Sequence, residues 1–165
     1  MLEYFSNKLQ VLFCSRRRMT MDSRYDALKL SKQLCFPLYA CSRGVIREYK
    51  PYLDKLDLTY TQYIAMLVLW EKGTLTVKEL GEELYLDSGT LTPLLKKLEQ
   101  KGLINRKRSS EDERNLLLSL TKAGCSLREE ALVIPEELSK TIPISPEDAK
   151  TLYDILYSML EKKNP

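Results

Sequence analysis

The chain of 165 residues is 44% hydrophobic and 30% charged, the balance of one globular domain with length enough to bury a core. It contains no histidine, which removes Ser–His and Cys–His nucleophile pairs and most zinc sites, so no metal or cofactor is expected. The net charge of +3 resides in residues 1–20, where Lys8, Arg16, Arg17 and Arg18 face Glu3 alone, while the rest carries 22 basic and 22 acidic residues; a nucleic-acid surface would have to come from local clustering.

Residues 1–20, MLEYFSNKLQVLFCSRRRMT, read as an extension upstream of a second start at Met21, disordered or non-native. Their apolar Val11-Leu12-Phe13 precedes the arginines, the reverse of a secretory leader. No apolar run reaches the roughly 18 residues of a membrane span. The expected compartment is the reducing cytoplasm, where Cys14, Cys35, Cys41 and Cys125, with no CxxC spacing, should not form structural disulfides. A first helix is expected from about Asp22 to near Lys50, capped by Asp22 or Ser23, with Leu34, Leu38, Cys41 and Val45 on one stripe. Pro37 lies inside it and cannot donate to the Gln33 carbonyl, which predicts a kink or break. In the run QLCFPLYACSR, Cys35 reads either as a small apolar core residue or as a reactive thiol. Tyr39, four residues on and on the same face, could donate a hydrogen bond to a thiolate there or simply pack. Pro51 punctuates the next stretch. A second helix from Thr59 carries Tyr63, Met66, Leu67 and Trp70 and stops at Gly73.

From Thr74 the pattern tightens. A short extended piece, Thr74 to Thr76, precedes a helix with Val77, Leu80 and Leu84 on one side. Tyr85-Leu86 then turns into a helix capped by Asp87, with Leu91, Leu94, Leu95 and Leu98 at positions i, i+3, i+4 and i+7. After Gly102, Leu103-Ile104-Asn105 and Leu116 to Leu120 read as two strands around the charged tip RKRSSEDERN. Helix, turn, helix and two-stranded wing make a winged helix-turn-helix, in a chain that is mainly α with a small β wing. Opposite the leucines fall Gly89, Pro93, Lys96, Lys97 and Gln100, with Ser88 and Thr90 near the N-terminus. A recognition helix meets base edges with its first residues and phosphates with flanking donors, although two lysines opposite a leucine stripe also suit an ordinary solvated face. Arg106, Lys107, Arg108 and Arg114 cluster on the hairpin where a minor groove would lie, and Asp112 could aim the Arg114 guanidinium. Ser145-Pro146-Glu147 starts a last helix with Ala149, Leu152, Tyr153, Leu156, Met159 and Leu160 at helical spacing. Residues 21–60 and 123–165 are thus expected to form a dimerisation region around a DNA-binding region, 61–122; packing of the last helix on its own winged region is the competing arrangement.

The segment LYLDSGTLTPLLKKLEQKGLINRKRSSEDERNLLLSLTKAG resembles the recognition helix and wing of the MarR family of bacterial transcription regulators, and the similarity extends over nearly all of Met21 to Lys163. KLSKQLCFPLYACSR with REYKPYLDKLDLTYTQYIAMLVLWE is similar to that family's organic-hydroperoxide sensors, OhrR. This resemblance implies that Cys35 is the peroxide-reactive thiol, that Tyr49 and Tyr60 hydrogen-bond its thiolate, and that an obligate homodimer on double-stranded operator DNA represses a peroxidase gene until oxidised. Phenols donating to a thiolate favour the charged form without a histidine, and Leu34, Phe36 and Leu38 would favour organic over hydrogen peroxide. The resulting sulfenic acid condenses with a second thiol. Cys41, about 9 Å along a helix, is out of disulfide range unless the helix breaks at Pro37, so a small cytosolic thiol is the expected partner; Cys125 cannot be placed from spacing. The rivals are a repressor released by a small phenolic ligand, with Cys35 inert, and a thiol peroxidase. The peroxidase leaves the winged motif unused and lacks a thioredoxin-like βαβ pattern, so no enzyme is expected.

Overall fold

The computed structural model describes residues 23–108 and 116–163. The extension 1–20, Asp112 and Arg114 therefore lie outside the described residues. The described chain divides into two units between Arg43 and Gly44.

In the first unit, 3-10 turns occupy Ser23–Leu28 and Leu30–Lys32, and helix α1, Cys35–Leu53, begins only at Cys35 and continues past Arg43 into the second unit. The single helix expected from Asp22 is therefore corrected. Lys29 and Gln33 are extended, with ψ of 133° and 112°. A helix running back through Gln33 would require an N–H at residue 37, which proline lacks. Starting at Cys35 puts Pro37 in the first turn, where no intrahelical donor is needed. Pro37 marks the start of α1 rather than a kink within it. Pro51 lies inside the last turn of α1 instead of beyond it.

The second unit holds the remaining elements. Helix α2, Tyr60–Lys72, starts at a capping box: the Gln62 N–H donates to Thr59 Oγ1 at 3.3 Å and the Thr59 N–H to Gln62 Oε1 at 3.0 Å. Tyr63, Met66 and Trp70 enter the core as expected, while Leu67 is 41% exposed. Strand β1, Leu75–Thr76, leads directly into α3, Val77–Leu84, through a second box between Thr76 and Glu79. Helix α4 spans Ser88–Gln100, followed by β2, Ile104–Arg108, and β3, Leu116–Leu120. The sheet has three antiparallel strands in the order β1-β3-β2, with Leu75 opposite Leu118 and Ile104 opposite Leu120. The expected two-stranded wing gains β1 as a third strand, and β2 runs on through Arg108. Leu91, Leu94, Leu95 and Leu98 of α4 are all buried, in one core with Met66, Leu69, Leu80, Ile104 and Leu118.

Helices α5, Lys122–Ala131, α6, Val133–Thr141, and α7, Pro146–Lys163, complete the chain. The α7 start is capped as expected, with the Asp148 N–H donating to Ser145 Oγ at 3.1 Å. None of its residues with assigned exposure is buried, and Leu152, Tyr153, Ile155, Tyr157 and Met159 are exposed.

The α5 start is held by one buried and one exposed polar contact. Trp70 Nε1 donates to the Gly124 carbonyl at 2.8 Å, and Thr121 Oγ1 donates to the Gly102 carbonyl at 2.6 Å. A Cβ at Gly124 would lie 2.0 Å from the Leu103 carbonyl oxygen, so only glycine lets α5 approach the wing this closely. Trp70→Phe keeps an aromatic ring but loses this buried hydrogen bond, leaving the Gly124 carbonyl its helical partner, which should cost about 0.5–1.5 kcal/mol in urea unfolding. Gly124→Ala should cost more, because backbone has to move.

Candidate functional site

Helix α4 turns its solvent face outward because its leucines are committed to the core. Ser88, Gly89, Thr90, Pro93, Lys96 and Lys97 are all exposed on it. The turn before it depends on Gly81, where a Cβ would meet the Leu86 carbonyl oxygen at 2.8 Å. Asp87 caps α4: Oδ1 accepts from the Thr90 N–H at 3.0 Å and Oδ2 from Thr90 Oγ1 at 2.8 Å. These bonds hold the Asp87 carboxyl below the usual carboxylate range. They also commit the Thr90 hydroxyl proton, leaving its oxygen to accept. Pro93 cannot return a hydrogen bond to the Gly89 carbonyl, on the exposed face where the loss is tolerable.

On β2 the side chains alternate. Ile104 is buried and Arg106 half-buried, while Asn105, Lys107 and Arg108 are exposed. Arg106 Nε and Nη2 both donate to Glu99 Oε2, at 2.8 and 2.6 Å, and this bonding draws the Glu99 carboxyl below its ordinary range. The basic cluster read from sequence is thus divided by exposure, with Arg106 half-buried and Lys107 and Arg108 exposed.

Also in the second unit, Tyr49 and Tyr60 come together edge to face, ring centroids 5.0 Å apart at 69°. Tyr63 joins them 5.8 Å from Tyr49 and continues to Trp70 at 6.4 Å. Burial raises the pKa of Tyr49, Tyr60 and Tyr63, with the neighbouring phenols adding to the effect at Tyr49 and Tyr63. All three therefore remain hydrogen-bond donors throughout the neutral range. Tyr63 reads from sequence only as a core residue of α2; its spacing of three from Tyr60 is the available signal.

In the first unit, Cys35 is exposed and is the first residue of α1, the end at which the helix dipole favours negative charge. Within a single copy this thiol does not enter the core. Leu34 and Phe36 beside it are also exposed. Arg43 Nη1 donates to Tyr39 Oη at 3.0 Å, with its guanidinium carbon 5.5 Å from that ring centroid. Because α1 is unbroken at Pro37, Cys41 stays about 9 Å along the axis from Cys35, outside disulfide reach. Cys125 is exposed on α5. Among the described residues no group of acidic or cysteine side chains could hold a metal, and no helix is long and apolar enough to cross a membrane.

A capped helix with a polar outer face, preceded by a helix-turn and followed by a basic three-stranded wing, defines a winged helix-turn-helix protein. Residues 47–131 match the family model described as transcriptional regulator SarA/Rot. The chain is 57% identical over 141 residues to the organic hydroperoxide resistance transcriptional regulator of Bacillus subtilis, covering 86% of this chain and 96% of that protein. Among solved structures, overoxidised AbfR bound to DNA superposes with a TM-score of 0.69 at 34% identity, over 84% of this chain and 98% of that one. The reduced AbfR–DNA structure matches equally, with a TM-score of 0.69 at 34% identity over 85% and 97%; AbfR is from Staphylococcus epidermidis. A mutant of Escherichia coli MarR complexed with operator DNA matches with a TM-score of 0.66 at 26% identity, over 77% and 93%. The chain belongs to the MarR-type transcription regulators, in the group of the organic hydroperoxide resistance and SarA/Rot regulators.

The Asp87 cap makes the fold of α4 acid-sensitive. A carboxyl whose folded pKa is lowered stabilises the fold above its ordinary value and loses that contribution as pH falls through the folded value. Asp87→Ala should lower the thermal midpoint at pH 7, and the gap to wild type should close as pH drops below about 4.

Proposed function

We propose that the chain is a redox-responsive transcriptional repressor that binds pseudo-palindromic operator DNA as a homodimer and leaves it when Cys35 is oxidised by organic hydroperoxides. The observation that carries this reading is the 57% identity, over 96% of its length, to a relative named for organic hydroperoxide resistance. Each copy lays α4 in a major groove, with Ser88, Gly89 and Thr90 toward base edges and Lys96 and Lys97 toward phosphates. The wing, with Lys107, Arg108 and Arg114 steadied by Asp112, follows into the adjacent minor groove. The exposed apolar side chains of α7 support a second copy as partner, with half-sites about 34 Å apart or a multiple of it.

The switch is chemical. The Cys35 thiolate attacks the terminal peroxide oxygen, the O–O bond breaks, and an alcohol leaves with a proton from the medium, giving a sulfenic acid. A small cytoplasmic thiol then displaces water to form a mixed disulfide. Peroxide is consumed once per thiol and not turned over, which separates a sensor from an enzyme. Tyr49 lies about 21 Å along α1 from Cys35 of the same chain. The donors assigned to the thiolate are therefore Tyr49 and Tyr60 of the second copy, kept protonated by burial, with Tyr39 a further one. AbfR was solved on DNA in both reduced and overoxidised forms. AbfR was also solved in a disulfide form, which supports a disulfide at the thiol, rather than oxygen addition alone, as the releasing state.

A second reading has its own observation. An open, largely apolar groove of about 410 Å³ between Tyr63, Leu67, Trp70, Arg128, Leu132 and Pro135 could take a small phenolic ligand that releases DNA with Cys35 inert.

Cys35→Ser should bind operator like wild type and stay bound when cumene hydroperoxide and a small thiol are added; normal release would transfer the switch to the groove. Tyr49→Phe and Tyr60→Phe should keep DNA affinity but oxidise more slowly, read as the rate of thiol loss, because each removes a donor that favours the thiolate. Unchanged rates in both would remove the phenols from the mechanism.

A further inference from the structure

Glu99 is an unexpected residue at the end of a helix that approaches a polyanion, and Arg106 an unexpected one to find half-buried in a basic wing. The two explain each other. Arg106 lies on the face of β2 that carries buried Ile104, and its register opposite the fully buried Leu118 fixes that orientation. Moving it outward would require a one-residue slip that also expels Ile104. Its guanidinium sends two donors to a single Glu99 oxygen, at 2.8 and 2.6 Å, and its side chain is 23% exposed against 38% for Glu99. The pair joins the last turn of α4 to the middle of β2, so it spans the two elements that read DNA.

We infer that Arg106 is a positioning residue, not a phosphate contact: the Glu99–Arg106 pair sets the angle between recognition helix and wing so that both grooves are engaged together. This rests on the DNA-binding reading above. Because a partly exposed ion pair adds little to global stability, its variants should fold, and the effect should appear in binding. The two readings of Arg106 differ in sign. If Arg106 met a phosphate, neutralising Glu99 would release a cation and remove a repulsive carboxylate, so binding would tighten. If the pair is a brace, neutralising either member loosens the same joint.

The test is operator titration from 50 to 200 mM KCl, using a duplex enriched by the wild-type protein from a randomised pool, with folding checked by circular dichroism. Glu99→Gln and Arg106→Gln should each weaken binding about three- to tenfold, in the lower part of the range of coupling for residues in direct contact, with the double variant no worse than the weaker single. The slope of log affinity against log salt should not change, whereas Lys97→Ala should reduce it by about one. Arg106→Lys should behave like Arg106→Gln, since an ammonium lacks the planar fork. Tighter binding by Glu99→Gln, or a slope reduced by one in Arg106→Gln and restored in Arg106→Lys, would overturn the proposal. Wild-type affinity in both single variants would do so as well. Failure of the wild-type protein to enrich any duplex would instead sink the DNA-binding reading itself.

Discussion

Four leucines on one face of α4 govern most of what the second unit can do. Leu91, Leu94, Leu95 and Leu98 are buried together with Met66 and Leu69 of α2, Leu80 of α3, and Ile104 and Leu118 of the sheet. Burying that stripe fixes the rotation of α4 about its axis, and the opposite face is then the one that must meet solvent or a ligand. Ser88, Gly89, Thr90, Lys96 and Lys97 are presented because the leucines leave them nowhere else to go. The same packing orients the wing, since Ile104 and Leu118 enter the core from strands whose alternate residues point away.

Much of this was legible in sequence because its signals are local. Thr59 and Asp87 announce α2 and α4 by side chains that satisfy N–H groups within the next turn, and Ser145-Pro146 does the same for α7. The leucine spacing of α4 is a short-range pattern, and its burial follows directly. What escaped was long-range or depended on a weighing of local signals. Strand β1 joins the sheet by pairing Leu75 with Leu118, a contact that neither segment declares. Arg106 counts as one of four wing cations in sequence because its commitment to Glu99 depends on strand register. The apolar stripe of the first helix reads through Pro37 and misplaces its start, whereas the missing N–H decides where the helix can begin. Asp112 and Arg114 rest on sequence alone.

The proposed chemistry needs no histidine, and the chain has none. Cys35 opens α1, and Tyr49 and Tyr60 pack edge to face with raised pKa values. A phenol held protonated by burial is a dependable donor and a poor base, which suits holding a thiolate better than turning over substrate. Reaction at an exposed first residue of a helix also needs no opening of the core.

The central claim is that the chemical state of Cys35 decides occupancy of DNA. The most direct measurement follows operator binding and the intact mass of the protein in the same samples, as cumene hydroperoxide is added stoichiometrically in the presence of a small thiol. The account requires loss of binding to track the appearance of a thiol adduct, mapped to the Cys35 peptide, in proportion through the titration. Release of DNA while Cys35 remains unmodified, or full modification of Cys35 with DNA still bound, would contradict it.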